Sequence, residues 1–419
     1  MKITRRILVG SAAVATASLA LAGCAGASGG GEGGDKVELT MLVNITPNLT
    51  EDWWNELVAP FEAAHPDVDV KIQAPATEGV KATLPQLLAS GQVPDIVQTL
   101  TPNVELAPEL VDLSQYDWAK NAPLADQYTI DGKYLTAGIG MQLQTVWFYN
   151  KQAFADAGIT EVPTTTEEFD SALAKLKDAG WTPIQTSGEW ATQMAFQFGG
   201  LPTVIGEYPD WFEGMSSGDL TFSQTYGEMA ERYAGWVADG YIPADSVGLK
   251  YADGEQQFLA GKAALYPMGS WFAAAEAKAT DAPEIGVFSA PADEGVTPRQ
   301  GASLASPYII MKASKHQDAA AELVEFLVTD KDAVTAQLEA DGNFRDGYEY
   351  EMDDLAAQLL EITSSTDPAD FTPTGDGYGD LTVPSGYQVE LNTQVQGLLT
   401  GGSPDALTSA MDDWFAANR

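Results

Sequence analysis

Val37-Glu38-Leu39-Thr40-Met41-Leu42-Val43 opens a stretch that decides the fold, and it runs on to Val68-Asp69-Val70-Lys71-Ile72. The odd positions from Val37 to Val43 are apolar, a period of two that buries one face of a strand. Asn44 to Asn48 turns the chain. Thr50 then stands as a helix N-cap, with Glu51 and Asp52 in the first turn, where the helix dipole favours negative charge. Trp53, Trp54, Leu57, Val58 and Phe61 recur at helical spacing until Pro66 ends the segment. Alternation resumes at Val68, so residues 37–72 read as β-α-β, the unit of an α/β layer architecture.

The same grammar continues outward. Val80 to Ala89 predicts a helix, Pro94-Asp95-Ile96-Val97 a short buried strand, and Thr145 to Tyr149 an apolar strand. Thr165 and Glu168 form a capping box ahead of Phe169, Leu173 and Leu176, and Gly180 closes that helix. Further helices are expected at 225–239, 253–260, 317–329 and 403–417. Residues 364–386, rich in Ser, Thr, Pro, Gly and Asp, read as a loop wrapping the surface. No internal repeat of fixed period is present.

The N-terminus carries a different signal. Lys2, Arg5 and Arg6 precede an apolar, small-residue run from Ile7 to Ala22, the pattern of a secretory signal peptide over residues 1–23. The chain's one cysteine falls in Leu21-Ala22-Gly23-Cys24. A lone free thiol is a liability in an oxidising compartment, which leaves its placement there to be explained. The run resembles the bacterial lipoprotein lipobox. That resemblance implies cleavage before Cys24, acylation at Cys24, and a protein tethered to the outer face of the bacterial cell membrane. Residues 24–35, mostly Gly, Ala and Ser, read as a flexible tether, so folded sequence begins near Lys36. Nothing after Cys24 approaches the roughly 20 apolar residues of a spanning helix.

Composition narrows the function further. The chain has 21 Lys+Arg and 60 Asp+Glu, and removing the three basic residues of the leader takes its net charge from −39 to −42. Such a field repels nucleic acid and anionic lipid, and no basic stripe offsets it. With one cysteine no intrachain disulfide forms, and the core alone carries stability. The roughly 380 residues after the tether suffice for two domains.

Several segments, in order, resemble the extracellular solute-binding proteins of ATP-driven sugar importers, the family of maltose- and oligosaccharide-binding proteins. Gly91-Gln92-Val93-Pro94-Asp95-Ile96-Val97 is similar to that family's G-x-x-P-D strand entry. Trp147 to Ile159, with Tyr149-Asn150-Lys151 and Ala157-Gly158-Ile159, resembles its Y-N-K-x-x-F-x-x-A-G-I signature. Pro163 to Phe169 resembles its P-x-T-W-x-E-F helix start, with Thr166 in place of the common Trp. Phe258 to Tyr266 followed by Gly269-Ser270-Trp271 resembles F-x-x-G-K-A-A-M plus G-S-W. The resemblance implies an α/β, two-lobe periplasmic-binding-protein-like fold (type II) with a ligand cleft between lobes joined by a hinge. It places lobe 1 at 36–145 and 301–360, and lobe 2 at 146–300 and 361–419. It further implies a sugar ligand, the membrane permease subunits of an ABC importer as partners, a monomer, and no cofactor.

A sugar presents hydroxyls, which need planar hydrogen-bonding side chains, and C–H faces, which pack on aromatic rings. Trp271 at the end of an apolar strand, Trp190 in a polar loop, and Tyr387 ahead of the final helices are the expected platforms. Trp147, inside a strand, is expected in the core. The polar candidates follow strands or line the crossing: Asn44, Thr46, Glu78, Gln98, Gln142, Gln144, Asn343 and Arg345. Polyol, amino-acid, peptide or polyamine ligands are the alternatives within binding proteins, and a surface glycosidase is the alternative outside them.

Enzyme readings find little to stand on. Gly214-Met215-Ser216-Ser217-Gly218 matches G-x-S-x-G, but Pro209 to Glu213 is no strand leading into a nucleophile elbow. Only His65 and His316 could act as base, and two histidines with one cysteine leave no zinc cluster. Asp341 to Gly347 lacks the closing Glu of a calcium loop and puts Arg345 at a ligand position. No local motif singles out a glycosidase carboxylate pair, and there is no P-loop.

Overall fold

In the computed structural model, which describes residues 36–46, 49–75, 79–348, 350 and 352–419, the opening β-α-β unit forms as read. Strand Val37–Leu42 pairs in parallel with Val68–Gln73 in the register Leu39 to Val70, across helix Glu51–Ala64. The Thr50 hydroxyl accepts from the Trp53 amide at 3.2 Å. Of the adjacent tryptophans, Trp54 is fully buried and Trp53 half-buried, as a single apolar helix face requires. The buried Trp54 indole N–H donates to the Asn44 carbonyl at 2.9 Å, so packing leaves no polar orphan.

Strand Ile96–Gln98 joins the other side of Val37–Leu42 in parallel, and Tyr308–Ile310 adds an antiparallel edge, completing a four-stranded sheet. Helices Glu51–Ala64, Gln317–Thr329 and Lys331–Ala340 supply its core, with Phe61, Leu323, Leu327 and Leu338 against Leu39, Met41 and Ile96. Asp95 clamps this sheet. Its carboxylate accepts from the Thr40 amide at 2.8 Å and from the Ser314 hydroxyl, and it is 9% exposed. Asp95→Ala leaves the Thr40 amide unpaired in the sheet and is expected to cost about 2–3 kcal/mol, read as a lowered urea midpoint.

A second four-stranded sheet has the order 182–184, 263–268, 146–150, 285–289. Strand Val146–Asn150 is antiparallel to both its neighbours, and Thr182–Ile184 is parallel to Ala263–Met268. Its largest core cluster includes Trp147, Phe169, Leu173, Trp211, Phe222, Tyr226, Tyr387 and Phe415. The Thr165–Glu168 capping box is present, and Gly180 sits beyond helix Thr166–Asp178 in the left-handed conformation. Helix Phe222–Ala238 starts three residues before its expected span because Thr221 and Gln224 make a second capping box. Helix Met194–Glu207 went unread: it is buried on nearly every side, so it has no polar face to set a period, and Gly199, Gly200 and Pro202 disguise it.

A short connecting sheet links the two. Gly140–Leu143 runs antiparallel to Gln300–Ala305, which pairs in parallel with Phe371–Thr372. The chain leaves this sheet for the second one at Thr145, a fully buried residue with φ 51°. Its hydroxyl accepts from the Gly301 amide at 2.7 Å and from the Gln300 amide group at 2.8 Å. The loop-rich segment begins where helix Asp354–Ser365 ends and carries only two- or three-residue elements up to helix Tyr387–Leu399. It touches both lobes: Tyr378 stacks on Tyr128 at 4.1 Å, and the Thr382 carbonyl accepts from Ser216 at 3.0 Å. Ser216 itself lies on helix Trp211–Ser217, away from any strand-to-helix elbow. No helix among the described residues is long and apolar enough to cross a membrane. Cys24 and Glu78 lie outside the described residues.

Candidate functional site

The loop after the carboxyl end of strand Ile96–Gln98 faces the segment 374–388, and between them lies a cavity of about 660 Å³. Parallel strands present such loops at one sheet edge, where open α/β folds bind ligands. The first-lobe wall is Lys81 with residues 99–105, the opposite wall includes Asp376, Tyr378 and Gln388, and Gln144 and Ser303 form the floor. Two contacts span the walls. Lys81 Nζ reaches Asp376 at 3.1 Å, and Tyr128 stacks on Tyr378. Asp376 also accepts from the Gln388 amide at 2.9 Å, which fixes its carboxylate at the start of helix Tyr387–Leu399.

An aromatic corner adjoins this cavity. Trp190 is 43% exposed; its ring lies 4.7 Å from Tyr251 and 6.3 Å from Trp271. The Trp271 ring lies over Gly269, where a Cβ would fall within the indole. Cavity and corner share structure: Ser270, beside Trp271, donates its amide to the Leu143 carbonyl at 2.9 Å, and Gln144 follows in the cavity floor. Helix Tyr387–Leu399 places Gln388 in the cavity wall and donates from Gln396 to the Glu189 carbonyl at 3.3 Å.

Two carboxyl groups in the corner have raised pKa values. Glu255 accepts from the Tyr251 hydroxyl at 2.6 Å. Burial raises the Glu255 pKa above the ordinary carboxylate range, against the opposing effect of that hydrogen bond. Burial pushes Asp341 up to about 6, opposed by the Asn343 hydrogen bond and by Lys278. Burial and the Glu255 charge together raise the Tyr251 phenol. The Asp341-Gly342 turn reaches the corner from the far side: a Cβ on Gly342 would lie 3.1 Å from the Ser270 carbonyl.

The folded chain binds the Asp341 proton more tightly than the unfolded chain does, its pKa rising from an ordinary 3.8 to about 6. Stability therefore declines as pH rises through that window, by on the order of 3 kcal/mol. Asp341→Asn is expected to raise the melting temperature of the ligand-free protein at neutral pH and to give no gain near pH 4, read by calorimetry across pH.

The structure gathers some expected residues and disperses others. Gln144 lines the cavity, while Trp190, Trp271, Gln142, Asn44 and Thr46 have partly or well exposed side chains outside its lining. Gln144 donates to Ser303 at 3.2 Å and accepts from Thr374, while Gln142 accepts from Ser303 at 3.5 Å, so the floor is one polar network. Thr46 is turned inward on its own loop, accepting from the Leu49 amide at 3.0 Å.

Four expectations need correction. Tyr387 is 1% exposed, packed among Trp211, Phe222, Trp414 and Phe415, so neither face is free for stacking. Gln98 is 2% exposed and spends its amide tying Asn44 to Ser306. Arg345 donates to the carbonyls of Val328 and Ile139 and lies 4.6 Å over the Tyr348 ring, holding a turn together. Asn343 is fully buried and acts through Asp341, to which it donates at 3.2 Å. Tyr251, Glu255, Asp341, Lys81 and Asp376 were missed. Tyr251 and Glu255, four apart on helix Tyr251–Leu259, offered a faint signal; the others are brought in only by tertiary contact.

Residues 46–334 match the model of the bacterial extracellular solute-binding protein family. The diacetylchitobiose-binding protein of Streptomyces coelicolor is 27% identical over 353 residues, covering 78% of this chain and 79% of that one. A multiple sugar-binding protein of Streptococcus mutans is 24% identical over 308 residues, covering 69% and 70%. A solved chitin oligosaccharide binding protein superposes with a TM-score of 0.75 at 25% identity, covering 92% of this chain and 99% of that one.

Proposed function

The chain belongs to the bacterial extracellular solute-binding proteins, and from that premise we propose that it captures an oligosaccharide and passes it to an ABC importer. The observation that carries the sugar reading is the Trp190–Trp271 ledge beside a cavity floored by Gln144 and Ser303. Flat rings take the C–H faces of pyranoses, and planar amides take their hydroxyls. The relatives' names, a diacetylchitobiose binder and a multiple sugar binder, agree with this choice.

In this proposal the two lobes close over the sugar, which shifts the hinge equilibrium by binding the closed state better than the open one. Lobe 1 takes residues 36–145 and the segment from 301, and lobe 2 takes 146–300 and the C-terminal segment. Helix Asp354–Ser365 goes with the second lobe, because Leu355 and Leu359 pack with Phe148 and Val287. That moves the last crossing upstream of 360. The protein acts as a monomer without catalysis, anchored by acylated Cys24 outside the membrane, with separate permease subunits as partners.

The test is a thermal-shift screen of Lys36–Arg419, a self-contained unit, against mono- and oligosaccharides, polyols, amino acids and polyamines. A ligand present at a hundred times its dissociation constant stabilises by about 2.7 kcal/mol. A selective shift with an oligosaccharide, returned unchanged, supports the proposal. A shift with only an amino acid or polyamine sinks the sugar reading, and turnover of the sugar sinks the carrier reading.

A further inference from the structure

The aromatic corner is rich in acceptors and short of donors. Glu255 and Asp341 bring carboxyl groups to Tyr251 and Trp271, and Glu189 is held there by the Tyr251 amide at 2.9 Å. Asn343, fully buried, donates to Asp341 and leaves its Oδ1 with no partner. The phenol of Tyr251 is committed to Glu255. Among the cations, Lys278 acts on Asp341, Arg345 is turned to backbone carbonyls, and Lys81 is paired with Asp376. Three carboxyl groups thus face one lysine around three aromatic rings.

We propose that this corner is a subsite for a sugar bearing a free amino group, so that the protein selects 2-amino-2-deoxy oligosaccharides over their hydroxyl and N-acetyl counterparts. An ammonium answers each feature at once. It donates three hydrogen bonds to carboxylate and amide oxygens, and its charge sits against ring faces that attract cations. It also neutralises carboxylates that burial has destabilised, which a neutral hydroxyl does not do. An N-acetyl group would bring another carbonyl oxygen among acceptors, where the Tyr251 hydroxyl is already given to Glu255 and the Asn343 amide to Asp341. The net charge of −39 adds long-range attraction in the same sense.

This inference rests on the sugar-carrier reading, and its test separates the two. The full chain, in mild detergent, is titrated calorimetrically at neutral pH with three trisaccharides sharing one β-1,4 backbone. They carry a free amine, an N-acetyl group or a hydroxyl at C2: the glucosamine trimer, its N-acetylated form, and cellotriose. The glucosamine trimer is expected to bind about tenfold tighter than cellotriose. High salt should shrink that advantage, and Asp341→Asn or Glu255→Gln should erase it while changing cellotriose binding far less. Equal or weaker binding of the amine, or an advantage that survives both substitutions, overturns the proposal and leaves the carrier reading intact. Failure of these three and of every other sugar to bind overturns both.

Discussion

Trp271→Ala should abolish the stabilisation that an oligosaccharide gives the protein, with a loss of binding on the order of a hundredfold. The ring is half-buried, lies against Gly269, and is 6.3 Å from Trp190 and next in sequence to Ser270, which ties the corner to the cleft floor. Truncating an aromatic anchor in a site of this kind costs about 2–4 kcal/mol of binding. It also leaves Trp190 and Tyr251, whose rings lie 4.7 Å apart, without their third wall. The fold should survive, because Trp271 lies at the margin of its core cluster and the strand before it keeps Tyr266 paired with Phe148 of the neighbouring strand. Gly269→Ala offers an independent route to the same result. Its methyl would occupy the space of the indole, forcing the ring to rotate off the ledge without deleting it. If both variants bind sugar as tightly as the parent chain, the ledge is not where the sugar stacks. If only Trp271→Ala loses binding, the ring tolerates displacement and the ligand follows it.

Sequence legibility divided along physical lines. Elements with a strict period or a capping residue were readable: Val37–Leu42 and Gln317–Thr329 lie where periodicity puts them, and Glu51–Ala64 and Thr166–Asp178 begin at their caps. A core helix with no polar face, Met194–Glu207, was not readable, because periodicity needs contrast between two faces. For the site, residues at strand ends were legible from local order alone: Gln144, which follows strand Gly140–Leu143, lines the cavity. Tyr387 and Arg345 could not, since each sits in a polar or loop-adjacent stretch yet meets partners far away in sequence. Asp341 shows the opposite failure. Its run was weighed as a calcium loop and dismissed, yet Asp341 and Gly342 meet the aromatic corner because Gly342 packs on Ser270 and Trp271.

Gly301→Ala should strike the connection between the lobes. Gly301 follows Gln300 in the connecting sheet, and its amide donates to the Thr145 hydroxyl at 2.7 Å. A Cβ there would lie 2.7 Å from the methyl of Thr145 and 2.7 Å from the methyl of Thr374, closer than real carbon contacts allow. Relief requires the crossing at Thr145 or the segment at Thr374 to move. Thr145 is fully buried with a left-handed backbone, so it has little room to yield. Overpacking at a buried site costs about 1–3 kcal/mol, and weakening the bond from Gly301 to Thr145 adds about 1 kcal/mol. A destabilisation of roughly 2–4 kcal/mol is therefore expected, read as a lower urea midpoint at unchanged slope. Sugar affinity should fall as well, since Thr374 donates to Gln144 in the cleft floor. Changing Thr145 and Thr374 both to Ser in the Gly301→Ala background removes the two methyl groups and keeps both hydroxyls. That combination should recover most of the lost stability. A triple variant as unstable as the single one would mean that strain at these methyls is not the cause, and that the glycine is needed for the path of the strand itself.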